Sequence, residues 1–573
     1  MSKYDLVIRG GTLVDGRGGA PTQGDVAILA GKIVEVGVVH GHGNEEIDAR
    51  GKLVTPGFVD IHTHYDGQIT WGERLSPSST HGVTTVVMGN CGVGFSPCKP
   101  EDREALIQVM EGVEDIPNVV MAEGLPWKWR TFPDYMDFLE TRVSDIDFAA
   151  QVPHAPVRVF VMGERGVNRE PATAAELEQM TAIVAEGIAA GALGVSTSRN
   201  LNHRTVTGDM APTVGAETAE LLALAQGLKQ AGTGVYQIIP MLETGVEKEL
   251  DIFRQLVEAS GRPLSFTLLR KYAYNDQLDE ILRFIEQTNA NGHEIRGQIF
   301  PRPVGVLSGL DLSSHPFLYT RSYKAIEHLP LAQRAARMRD PEVRAAILME
   351  ASEPHDPKLG FVRAIDGQYE LGDPPNYEPG ADDTIAARAA RRGVSPLEEA
   401  YDVLLSNDGT GILLWTAANY IDNSLAPLEQ LLNHPDTVVG LGDGGAHCGM
   451  ICDGSYPTSL LTYWARDRHD GAKIGISQAI RSLSHDPARA VGLGDRGLLA
   501  PGYRADVNVI DFDRLTLHAP RMLRDLPAGG KRLVQDADGY DLTMVAGVVT
   551  YRGGEPTGAL PGRLVRGARA NAS

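Results

Sequence analysis

A chain of 573 residues has room for roughly two to four domains and ample material for a large core. Its 42% hydrophobic and 22% charged content is ordinary for a globular protein, and a formal net charge of -21 argues against nucleic acid and anionic membranes, which both want basic surface. The opening MSKYDLVIRGGTLVDG lacks a basic stretch followed by an apolar core, no run reaches the ~18 apolar residues that span a bilayer, and four cysteines make no disulfide framework at this length. The expectation is a cytoplasmic enzyme with a small-molecule substrate and neither a nucleic-acid nor a membrane partner; homo-oligomerisation is left open.

In chain order, the first segment alternates and turns like antiparallel sheet. Leu6, Ile8 and Gly10-Gly11 lead into Thr12-Leu13-Val14, and Val26-Ala27-Ile28-Leu29, Ala30-Gly31, Lys32-Ile33-Val34-Glu35-Val36 reads as a hairpin. A further short strand ends at Thr55-Pro56-Gly57. Eight apolar runs separated by helical patterns follow. They begin with Phe58-Val59-Asp60-Ile61 and Thr84-Thr85-Val86-Val87-Met88, continue near 148–152, 193–196, 235–239, 265–269 and 297–300, and end with Val438-Val439-Gly440-Leu441. Between them, Thr173-Ala174-Ala175-Glu176 is a capping box ahead of Leu177, Met180, Val184 and Ile188 at helical spacing. Eight such units predict a closed (β/α)₈ barrel over 57–498. About 135 residues separate the last two strands, so an insertion at about 303–395 is expected to act as a lid. Strand-like runs return at 506–510, 542–545 and 548–551, which predicts a small β-sandwich built from 1–56 and 499–573.

Catalytic groups of such a barrel sit at the C-terminal strand ends. After the first strand comes His62-Thr63-His64; alternation puts both imidazoles on one face, as donors for a borderline metal such as Zn²⁺. After the second comes Gly89-Asn90-Cys91-Gly92. Cys91 reads either as a small buried hydrophobe or, on the same rim as the imidazoles, as a thiolate ligand, and the ligand reading is favoured. After the eighth comes Gly442-Asp443-Gly444-Gly445-Ala446-His447. There Asp443 is placed to bind metal, to take a proton from the attacking water and to return it to the leaving amine. His154, Arg199, His203, Arg302 and His447 lie near other strand ends and read equally well as substrate contacts or as ordinary paired groups. Cys448 and Cys452 lack the spacing of a structural zinc site and are expected to be packing residues.

The run Thr55-Pro56-Gly57-Phe58-Val59-Asp60-Ile61-His62-Thr63-His64-Tyr65-Asp66 resembles the signature of the amidohydrolase superfamily. Met88-Gly89-Asn90-Cys91-Gly92-Val93-Gly94-Phe95, Val113-Glu114-Asp115-Ile116-Pro117 and Gly191-Ala192-Leu193-Gly194-Val195-Ser196-Thr197 are similar to its N-acyl-D-amino-acid deacylase branch. So are Asp495-Arg496-Gly497 and the stretch from Arg504 to Asp506, and the likeness spans nearly the whole chain. It implies a zinc-dependent D-aminoacylase-like enzyme in which His62, His64, Cys91 and Asp443 take the metal and catalytic positions. Two further metal-binding histidines end the fifth and sixth strands of D-aminoacylases; here those ends read Tyr236-Gln237-Ile238 and Phe266-Thr267-Leu268. The expectation is therefore one zinc ion per chain, with a second ion or another divalent metal as the alternative.

The leading functional reading is metal-dependent hydrolysis of a linear amide such as an N-acyl amino acid. Cyclic amide hydrolysis of the hydantoinase and dihydroorotase kind competes with it. Those enzymes commonly use a carboxylated lysine, and no lysine stands at the ends of strands three or four. A repurposed barrel performing deamination, elimination or cyclisation, and a non-catalytic assembly protein on the same fold, complete the set.

Overall fold

The eight runs expected as parallel strands are strands, and they pair in parallel. The structure, a computed structural model, describes residues 3–353 and 364–568. Expectations for the insertion at 354–363 and for the sandwich at 1–2 and 569–573 lie outside the described residues. Phe58–Asp60, Val83–Met88 and Asp147–Ala150 form one ladder. Val152–Pro153, which continues the third strand after Gln151, starts a second ladder through Gly194–Ser198, Val235–Ile239, Leu264–Thr267 and Ile295–Ile299 to Thr437–Val439. The outer strands of the array meet just beyond their ladders: the Asp443 N–H donates to the His62 carbonyl (3.0 Å) and the His64 N–H to the Gly444 carbonyl (2.8 Å).

Helices cover the array. Ala174–Ala189 starts at the expected capping box, in which Thr173 accepts from the Glu176 N–H and Glu176 accepts from the Thr173 N–H (2.7 Å). It buries Met180, Val184 and Ile188 at helical spacing. The strands contribute fully buried residues such as Val86, Phe148, Val195 and Phe266 to one large apolar core, so the array holds the rim residues on rigid supports.

Both chain ends enter one nine-stranded sheet, because Val507–Ile510 pairs antiparallel with Leu53–Pro56. The hairpin Thr22–Leu29/Lys32–Gly37 turns at Ala30 and Gly31 (φ 50° and 74°), and the hairpin Tyr540–Val545/Val548–Arg552 turns at Ala546 and Gly547 (φ 50° and 76°). Two successive left-handed residues give the twist that joins antiparallel strands tightly. A buried ion cluster ties this sheet to the strand array: Asp147 accepts from Arg496 (2.8 Å) and Arg504 (2.9 Å), and Arg504 also pairs with Asp506. That is the physical use of the Asp495-to-Asp506 motif.

The excursion after the seventh strand runs further than expected. Val304–Gly309 pairs with Ile412–Ala418, which also pairs with Tyr369–Glu370. Helices between them enclose a separate core around Phe317, Ile347, Tyr401 and Leu413. The excursion therefore closes as a folded unit near residue 418. It rests on the loop that follows Asp443, through Leu307 N–H to the Met450 carbonyl (2.8 Å) and Ser313 N–H to the Gly449 carbonyl (3.0 Å). No helix among the described residues is long and apolar enough to cross a membrane.

Candidate active site

The loops leaving the first, second and eighth strands bring His62, His64, Cys91 and Asp443 together. The donor atoms of His62, His64 and Cys91 all lie within 4.8 Å of one another. His62 Nε2 is 3.3 Å from Cys91 Sγ and 3.5 Å from Asp443 Oδ1, and His64 Nε2 is 3.6 Å from the same carboxylate oxygen. Both imidazoles are almost completely buried. Among the described residues, neither nitrogen of His64, nor Asp443 Oδ1, has a hydrogen-bond partner. Buried polar atoms are normally satisfied, and a divalent metal is the group this donor set fits.

The local backbone explains the placement. Cys91 (φ 55°), Leu441 (φ 66°), Asp443 (φ 47°) and His447 (φ 52°) are all in the left-handed region, at a cost of about 1–2 kcal/mol each. The Cys91 turn is held by Ser196: its hydroxyl accepts from the Gly92 N–H (3.0 Å) and donates to the Gly89 carbonyl. Asn90 donates to the Thr63 and Val87 carbonyls and accepts from Gln151. At Asp443, a side chain on Gly442 would collide with the Asp60 carboxylate, and one on Gly444 with Ser78 and Tyr65. The flanking glycines let the loop lie against the first strand end.

Electrostatics sharpen the roles. Burial pulls the His62 imidazole down to about 4, so it stands neutral, with a lone pair to offer. Its Nδ1 lies 3.0 Å from Gln298 Oε1, while Gln298 Nε2 donates to Ser265 Oγ (3.1 Å). Gln298 thus offers an acceptor, fixes the His62 proton on Nδ1 and leaves Nε2 free towards Cys91 and Asp443. Burial alone would raise the Asp443 carboxyl, but the close approach of His64, the largest opposing influence, outweighs it and the group is held well below the usual range. Burial pushes the Cys91 thiol up to about 12.

Of the remaining rim candidates, two stay near the cluster. His203 is half-buried, its Nδ1 is enclosed with no partner among the described residues, and desolvation lowers the imidazole to about 3. His447 Nε2 is 3.5 Å from Glu114 Oε2, with Nδ1 unpartnered. The other three are engaged within the protein. His154 bonds Thr197 (2.7 Å) and Glu220 (2.8 Å), Arg199 pairs with Glu249 (3.1 Å), and Arg302 pairs with Asp453 (2.7 Å) and Ser455 (2.9 Å). Cys448 and Cys452 are buried in packing positions.

Reading strand ends alone passed over Glu114. It ends the helix Arg103–Glu114, is buried, and sets Oε2 3.5 Å from His64 Nε2. The signal was present in the Val113-to-Pro117 motif, which places an acidic pair shortly after Cys91. Gln237 and Thr267, where neutral imidazoles were missing, carry unpartnered buried polar atoms. Beside Asp443 a crevice is lined by Trp71, Ile116, Cys448, Leu526 and Arg532; the Arg532 guanidinium is already engaged by Asp525 and Ser76.

This arrangement gathers potential metal donors from three strand ends. The chain belongs to the Amidohydrolase family, which it matches over residues 45–551, and it is a hydrolase of carbon–nitrogen bonds other than peptide bonds. It is 27% identical over 533 residues to the N-acyl-D-aspartate deacylase of Alcaligenes xylosoxydans xylosoxydans, covering 91% of this chain and 89% of that one. Among solved structures, it superposes with a TM-score of 0.64 and 24% identity on the N-acyl-D-glutamate deacylase of Bordetella bronchiseptica in complex with zinc and a phosphonate inhibitor; 98% of this chain and 100% of that one are covered. A D-aminoacylase studied for its binuclear metal center, with one-metal activation and second-metal attenuation, matches with a TM-score of 0.65 and 21% identity over 99% of this chain and 100% of that one. These two structural likenesses establish the fold.

Proposed function

We propose that this protein is a metal-dependent N-acyl-amino-acid deacylase of the D-aminoacylase-like kind, built on a closed (β/α)₈ barrel with a β domain from both chain ends. The observation that carries the reading is the cluster of His62, His64, Cys91 and Asp443 at three strand ends, in a chain whose relatives include a deacylase of N-acyl-D-aspartate. His62, His64 and Asp443 would hold one zinc ion, with Cys91 beside them. A bound divalent ion supplies Lewis acidity to the amide carbonyl and to the attacking water.

The chain's own groups do the rest. The Asp443 carboxylate, aimed into the cluster, takes the proton of the attacking water and passes it to the nitrogen of the departing amine. Gln298 keeps His62 in one tautomer throughout. Gln237 Nε2 and Thr267 Oγ1 are donors with no partner among the described residues and serve the substrate's oxygens, as does His203. His154, Arg199 and Arg302 are positioning residues whose polar groups hold the rim together. The 304–418 unit acts as the lid, since it rests on the loop that carries Asp443.

The test is a panel of N-acyl-D- and N-acyl-L-amino acids with zinc-loaded protein, following release of the free amino acid. Turnover of one stereochemical series, abolished by a chelator and restored by zinc, supports the reading. No turnover of any N-acyl amino acid, or turnover indifferent to the chelator, refutes it.

A further inference from the structure

Glu114 is a buried carboxylate whose side chain accepts no hydrogen bond of ordinary length among the described residues. Its Oε1 is unpartnered, and its Oε2 stands 3.5 Å from both His64 Nε2 and His447 Nε2, too far for hydrogen bonds. A tetrahedral site with metal–nitrogen and metal–oxygen bonds of ~2.0–2.2 Å has ligand-to-ligand edges of ~3.4 Å. The separations from Asp443 Oδ1 to His62 and His64 are 3.5 and 3.6 Å, so the same edge recurs across the cluster. The Glu114–His64 separation is that of two donors on one cation rather than of a hydrogen bond.

The backbone fixes Glu114 in that place. The His447 N–H donates to the Glu114 carbonyl, the Cys448 N–H to the Asp115 carbonyl (3.2 Å), and the Gly449 N–H to Asp115 Oδ2 (3.0 Å). The end of the Arg103–Glu114 helix is thus clamped to the loop that carries Asp443. Charge supplies the second argument. A divalent ion between two neutral imidazoles in a buried site needs two negative charges nearby, because an uncompensated buried charge is costly. Asp443 brings one and Glu114 the other, without ionising Cys91.

We propose that Glu114 is a carboxylate ligand of the metal centre, on the side where His64 and His447 face it. The proposal rests on the functional reading above for the presence of a metal.

Glu114→Gln and Cys91→Ser, purified beside wild type, test it by zinc content and by zinc Kd from chelator competition. The expected result is a Kd raised tenfold or more in Glu114→Gln, a loss at least as large as that from removing a group that only supports a ligand. Cys91→Ser is expected to lose less. A Glu114→Gln Kd within threefold of wild type overturns the proposal, as does a loss confined to Cys91→Ser. A carboxylate that merely paired with a protonated His64 would act in the opposite sense, its removal freeing the imidazole and tightening zinc binding. Thermal unfolding of the metal-free proteins identifies a variant that fails to fold, and Glu114→Asp, one methylene shorter, is then measured against the same thresholds. A wild type without any bound metal refutes the functional reading itself; a wild type that holds zinc beside an unchanged Glu114→Gln refutes only the role of Glu114.

Discussion

Gln298→Leu should weaken metal binding about 10- to 100-fold although Gln298 is not itself a ligand. The side chain spans two contacts: Oε1 at 3.0 Å from His62 Nδ1 and Nε2 at 3.1 Å from Ser265 Oγ. Leucine keeps most of the volume and removes the acceptor. His62 is almost wholly buried, so a proton left on Nδ1 would have no partner, at a cost of about 1–3 kcal/mol. The imidazole escapes that cost by moving the proton to Nε2, the nitrogen that faces Cys91 and Asp443, where it blocks the lone pair. Either route loses about 1.4–2.7 kcal/mol of metal affinity, the equivalent of one to two decades in Kd. Zinc competition against a chromophoric chelator at fixed pH measures it, with circular dichroism to confirm the fold. A Kd within threefold of wild type would mean that Gln298 does not set the His62 tautomer.

Asp443→Asn keeps the shape of the side chain and removes its basicity, so kcat should fall by about two to four orders of magnitude; a folded variant within a factor of a few of wild type would remove Asp443 from proton transfer. For Glu220, burial pushes upward, but bonds from His154 and Arg158 prevail and lower the carboxyl to about 2. Its contribution of roughly 3 kcal/mol is present above the unfolded value near 4.5 and lost as pH falls towards 2. Glu220→Gln should therefore be destabilised at pH 7 and show a flatter stability profile between those values by urea unfolding; a parallel profile would contradict this. Gly442→Ala drives a methyl group into Asp60, so it should destabilise the protein by about 1–3 kcal/mol and lower kcat by displacing Asp443; an unchanged Tm would show that the loop relaxes freely.

Strand-end residues were the legible part of the site. Strand periodicity puts His62 and His64 on one face, and the turn residues around Cys91 and Asp443 mark the ends of two more strands. Glu114 escaped because it arrives on a helix terminus, where no periodicity points at the rim. His154, Arg199 and Arg302 were indistinguishable from substrate contacts in sequence, since their partners Glu220, Glu249 and Asp453 stand far along the chain and meet them only in the fold. The fold was legible for a related reason. The hairpins at Ala30-Gly31 and Ala546-Gly547 and the Thr173–Glu176 capping box are local, so their signals need no tertiary context. The extent of the insertion was not legible, because its closing strand, Ile412–Ala418, is defined by pairing with Val304–Gly309 across more than a hundred residues.

A crystal of the zinc-loaded protein, recorded on both sides of the zinc absorption edge, tests the account most directly. It predicts one anomalous peak bonded to His62, His64 and Asp443. A fully loaded protein with no peak at those three residues, or with its strongest peak beside Gln237 and Thr267, would contradict it.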